Sequence, residues 1–67
     1  MVPEKFSMKE LRARNNMTQE QAAHALGISA QTYNAWEKNP SVISIGKFYK
    51  VAELFGVRVQ DIFLPGM

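Results

Sequence analysis

The sequence predicts an all-α fold, a compact bundle of five short helices with no strands. Three observations predict it. Ser7 and Thr18 each stand three residues ahead of a side-chain acceptor, Glu10 and Gln21, the spacing at which a helix start satisfies its own orphan amides. Gly27 and Gly56 stand where helices would stop. Ile45, Phe48, Val51, Ala52 and Phe55 recur at helical period, whereas strict alternation is confined to Val57 and Val59.

Taken in order, Ser7-Met8-Lys9-Glu10 opens a first helix over about Met8 to Arg14, and Asn15-Asn16 breaks it. Thr18-Gln19-Glu20-Gln21 opens a second, closed by Gly27. Ser29 caps a third that reaches Glu37 or Lys38. Asn39-Pro40 ends it, with Asn39 in a left-handed cap and the proline unable to continue the helix. Ser44 caps the fourth, which runs to Gly56. The tail is ambiguous: Val57 and Val59 alternate like a strand, while Gln60 to Leu64 suits a last helical turn before Pro65. Helices this short are unstable alone, so their stripes must share one core. The expected core is Leu11, Leu26, Ile28, Tyr33, Trp36, Phe48, Val51, Phe55 and Ile62.

Size and composition narrow the function classes. With 67 residues the chain is expected to be one domain, 1–67, near the lower limit for folding alone. It has no cysteine and one histidine, which argues against disulfides, thiolate metal sites and metal binding generally. Its charged start is unlike a signal peptide, and no apolar run approaches the ~18 residues of a membrane span; a cytoplasmic protein is expected. The only His and Asp, His24 and Asp61, fall in different elements, so no catalytic constellation is present and no enzyme is expected. No cofactor or small-molecule ligand is expected either. The net charge is a mild +2, yet no Lys or Arg lies between Asn15 and Glu37. A polyanion would therefore meet a polar centre with positive charge around it.

That centre is the pair of helices over about 18–38. Some three residues join them, Gly27 among these, and Ala23 is small enough for close approach, which makes the pair a helix-turn-helix candidate. On a wheel, Tyr33, Trp36 and Glu37 fall on one side of the third helix. Gln31, Asn34, Ala35 and Lys38 fall on the other. Amide side chains can bond bidentately to an adenine edge, and alanine can touch a thymine methyl. The plain alternative is a solvated face; the tight turn and flanking charges favour base reading. Trp36 and Tyr33 are read as core residues, not as stacking platforms, and His24 as solvated.

The stretch MTQEQAAHALGISAQTYNAWEKN resembles the helix-turn-helix of the lambda-repressor/Cro superfamily of transcriptional regulators, of the xenobiotic-response-element type. The likeness runs from about Phe6 to Phe63. It rests on the T-Q-E opening, Ala23, Gly27, the Ser29 cap, the Y-x-x-W-E ending and the late F-G-V. It implies a five-helix bundle whose third helix lies in the major groove of double-stranded DNA. It also implies that Ser29, Ala30, Gln31, Thr32, Asn34 and Ala35 form the base-reading stretch. Gln19 and Lys38 would contact phosphate, with Thr18, Asn39, Lys47 and Arg14 as further phosphate candidates. Arg12 and Glu37 would be a structural ion pair tying the first helix to the end of the third.

The sequence departs from the family at Ala22 (usually leucine), at Asn39 (usually glycine) and at Ala30 (often a long polar reader). Ile43 stands at a usual proline, with Pro40 earlier, so the 38–44 loop is expected to differ. Val59, Phe63 and Leu64 are candidates for a homodimer contact. The expected function is a sequence-specific DNA-binding regulator, a repressor. The alternative on the same fold is a protein-interaction module, an antitoxin or an antagonist of another regulator, with DNA contact secondary.

Overall fold

The computed structural model describes residues 5–62. Among these the chain forms four α-helices: α1 (Met8–Arg14), α2 (Gln19–Leu26), α3 (Ala30–Lys38) and α4 (Ile45–Phe55). Two short 3-10 turns, Pro40–Val42 and Val59–Asp61, follow α3 and α4. The helix starts are chemically explicit. Ser7, Thr18, Ser29 and Ser44 are the N-caps, each accepting a backbone N–H from the first turn, and Ser7 and Thr18 complete full capping boxes.

The all-α class is as predicted, but the fifth helix is only the 3-10 turn Val59–Asp61. Its bonds run from Asp61 N to Arg58 O and from Ile62 N to Val59 O. The chain must straighten immediately afterwards, because Ile62 is extended and pairs with Phe6 in an isolated parallel bridge. That demand leaves no room for another turn. Phe63 and Leu64 lie outside the described residues.

The end of α3 also differs from expectation. Asn39 adopts φ −145° and ψ 81°, not a left-handed cap. Pro40 is the cause, since its ring disfavours helical geometry in the residue before it. The loop becomes the turn Pro40–Val42, which buries Pro40 and Ile43.

The core joins Met8 and Leu11 of α1, Ala22 and Ala23 of α2, and Tyr33 and Trp36 of α3 to Phe48, Val51, Ala52 and Phe55 of α4, with Ile43 and Ile62 closing it. Leu26 and Ile28, expected inside, are half-buried at its margin beside the Gly27 turn. Ile45 is 72% exposed although it shares the apolar period of α4. It is the first residue of that helix, and helical side chains lean toward the N-terminus, so it reaches past the bundle.

Candidate nucleic-acid interface

The turn between α2 and α3 is built by Gly27 at φ 71°. Ile28 N donates to Ala23 O at 3.0 Å and Gly27 N to His24 O at 3.1 Å, the two bonds of a Schellman closure. Ser29 then begins α3 at once, its Oγ accepting from Thr32 N at 3.0 Å. Ala22 and Ala23 are fully buried under this junction, and Tyr33 and Trp36 anchor the inner side of α3.

A polar chain fixes α3 against α1 and α2. Arg12 Nε donates to Glu37 Oε2 at 2.6 Å, and Nη2 reaches Oε1 at 3.4 Å. Arg12 Nη1 donates to Met17 O at 3.0 Å. Side-chain exposure is 17% for Arg12 and 7% for Glu37, so water screens the pair poorly. Burial alone pushes the Glu37 carboxyl up, but hydrogen bonds from Arg12 and Gln19 more than offset it and hold it below its ordinary value. The bond to Glu37 raises the Arg12 guanidinium further. The Tyr33 hydroxyl is buried beside this pair without a hydrogen bond of acceptable geometry, and burial pushes its pKa up.

Gln19 extends the chain. Its Nε2 donates to Glu37 Oε1 at 3.0 Å and to Asn34 Oδ1 at 3.1 Å. Both side-chain hydrogens are thus engaged within the protein. What Gln19 still offers an anion is its backbone amide at the first position of α2, among the amides a helix cannot satisfy internally.

A helix-turn-helix profile matches residues 8–62. The chain belongs to the Cro/repressor-type helix-turn-helix family. An uncharacterised HTH-type transcriptional regulator of Methanocaldococcus jannaschii is 43% identical over 60 residues, covering 90% of this chain and 91% of the relative. One from Archaeoglobus fulgidus is 39% identical over 57 residues, covering 85% and 80%. One from Bacillus subtilis is 36% identical over 59 residues, covering 88% and 89%. No solved structure matches the chain. The family is one of regulators, not enzymes.

Within the family frame, the structure distributes the sequence-predicted residues unevenly. Ser29, Gln31, Thr32, Ala35 and Lys38 are exposed along α3 and its entry, and Ser29 Oγ also donates to Thr32 Oγ1 at 2.9 Å. Ala30 is half-buried and packs against the core. Asn34 is half-buried too, with its carbonyl bonded to Gln19 instead of standing in open solvent. The wheel was right about Asn34's side of the helix but not about its freedom, because its partner lies on another element. Thr18, Asn39 and Lys47 are exposed; Asn39 Oδ1 accepts from Ser41 Oγ at 2.6 Å. Arg14 is exposed with its guanidinium 4.1 Å from the centre of the Phe6 ring. Arg12 and Glu37 come together as the resemblance implied.

Two features of this surface escaped the sequence reading. The Gln19 bridge links residues fifteen positions apart and has no local signature. Val42, Ile45 and Tyr49 are large apolar side chains exposed in or near the start of α4, and Ile45 also lines an open groove with Pro40, Phe48 and Val59. Only Tyr49 carried a signal, since it falls outside the apolar stripe of that helix.

Proposed function

We propose that this protein, a DNA-binding transcriptional regulator by family, is a sequence-specific repressor that lays α3 in the major groove of duplex DNA. One observation carries the reading: Tyr33 and Trp36 lock α3 from inside while Gln31, Thr32, Ala35 and Lys38 remain exposed along its outer side. A rigid helix with a free amide, a hydroxyl and a methyl suits direct readout, in which base contacts specify and phosphate contacts position. Lys38 and Lys47, with the first-turn amides of α2, supply the phosphate contacts at the edges of that face.

The repressor acts as a homodimer, since regulators of this type bind half-sites one helical turn apart. The exposed Val42, Ile45 and Tyr49 favour that state, because a set of large apolar side chains at one helix start gains from being covered by a second copy.

Selection of binding sites from a random duplex pool tests the reading. Enrichment of a palindrome with half-sites one turn apart is expected. Gln31→Ala should relax preference at one base pair by about 1–3 kcal/mol and leave the other positions unchanged. A protein that ignores random duplex DNA even at low salt would instead be the protein-interaction module.

A further inference from the structure

We infer that Glu53 and Arg58 form reciprocal ion pairs across the homodimer and thereby select which chains associate. The inference rests on the homodimer reading above and names the contacts that reading leaves open. Two grooves lie beside α4 and share Val59 and Gln60 as a common wall. The first is largely apolar, with Pro40, Ile43, Ile45 and Phe48. The second sets the exposed Tyr49 beside one carboxylate, Glu53, and one guanidinium, Arg58. Lys47 and Lys50 line neither groove. The ion pairs among the described residues are Arg12–Glu37 and Arg58–Asp61. Glu53 is exposed and belongs to neither, although it shares a groove with Arg58. Arg58 reaches Asp61 through Nε at 3.3 Å and Nη2 at 3.4 Å. Its Nη1 hydrogens and one on Nη2 are left over, on a side chain that is 72% exposed. The groove thus holds an anion without a partner and a cation with donors to spare.

The occupant that fits is a second copy of this chain. A two-fold axis sets one patch against itself, so a contact from one residue to another is repeated in reverse. A patch of uniform sign would repel its own copy. One that carries a single charge of each sign beside exposed apolar side chains is self-complementary. Glu53 of one protomer meets the partner's Arg58, the reverse contact follows by symmetry, and the same docking covers Ile45 and Tyr49. Nucleic acid does not suit this groove, because Glu53 would face phosphate. Charge pairs of this kind set specificity and register more than affinity. A related regulator with the same sign at both positions is refused, since each of its contacts with this chain would include a like-charge pair.

Sedimentation of the full chain without DNA tests the pairing. Glu53→Arg places like charges at both contacts, as does Arg58→Glu, and each should weaken self-association at least about tenfold. Mixed in equal amounts, the two variants should associate again, because each then offers the charge the other lacks. The double variant should also recover. Wild-type self-association by either single variant, or a mixture that stays monomeric, would overturn the assignment. Arg58→Glu sets a second carboxylate beside Asp61. Should it fail to fold, alanine variants take its place, and Glu53→Ala must then cost association nothing once Arg58→Ala is present. Equal costs in both backgrounds would overturn the pair. A wild type that is monomeric at every concentration would remove the homodimer reading and this pairing together. A dimer indifferent to both charges would remove the pairing alone. Recovery on mixing by a protein that ignores duplex DNA would uphold the pairing and remove the DNA reading.

Discussion

At Glu37, Arg12 Nε, Arg12 Nη2 and Gln19 Nε2 converge on one carboxylate from two other helices. Its folded pKa lies below the ordinary value, so on acidification the unfolded chain takes up that proton first. The stabilisation is therefore complete above about pH 5, where the unfolded carboxylate is ionised, and is lost as pH falls through the lower folded value. Glu37→Gln should cost about 2–3 kcal/mol at neutral pH, between the loss for a buried pair and that for an exposed one. Urea unfolding from pH 7 down to pH 3 should show the variant less stable at pH 7 and flatter toward acid. Glu10 and Asp61 are also held low, by hydrogen bonds from Ser7 and Arg58, and they titrate in both proteins, so the difference isolates Glu37. An unchanged acid slope would mean that the pair contributes nothing. At this scale the sequence revealed Arg12 and Glu37 only through family likeness, because their partnership spans the fold. The bond between Asn34 and Gln19 was missed for the same reason: a wheel sees one helix, and Gln19 stands on another.

Helix starts and stops were the most legible part of the chain because their chemistry is local. Ser7, Thr18, Ser29 and Ser44 could be read as caps from the residues that follow them, and Gly27 and Gly56 as closures. The short connections were not legible. Pro40–Val42 and Val59–Asp61 are 3-10 turns because each must deliver a side chain, Ile43 or Ile62, into a core that no local pattern describes. The glycines give a paired test of backbone against packing. A Cβ at Gly27 or at Gly46 would meet nothing within 4 Å, yet only Gly27 has positive φ. Gly27→Ala should lose about 1–2 kcal/mol through left-handed strain alone. Gly46→Ala, inside α4, should gain about 0.5–1 kcal/mol by reducing the freedom of the unfolded chain. Thermal unfolding of both variants measures this directly. Equal destabilisation would show that space, not conformation, limits these positions.

Along the chain, the +2 charge leaves a gap with no Lys or Arg from Asn15 to Glu37, and Lys38 and Lys47 stand exposed beyond the amide-bearing α3. Such a surface should show a modest dependence of DNA affinity on salt. Lys38→Ala is expected to weaken all duplexes alike and to lower the slope of log affinity against log salt by about one unit. A change confined to one base pair would make Lys38 a reader instead. The exposed Val42, Ile45 and Tyr49 set a second expectation. Sedimentation should report a dimer for the wild type and a monomer for Ile45→Lys, and identical behaviour of the two would place the subunit contact elsewhere. One small contact joins the two flanks of this domain. Phe6 N donates to Asp61 O at 2.8 Å, and Phe6 pairs in parallel with Ile62. The described chain is thus fastened near both extremities by the same stitch, and unravelling from either flank must open it before reaching a helix. Because the paired segments run in the same direction, tension applied across the two flanks loads that stitch in shear.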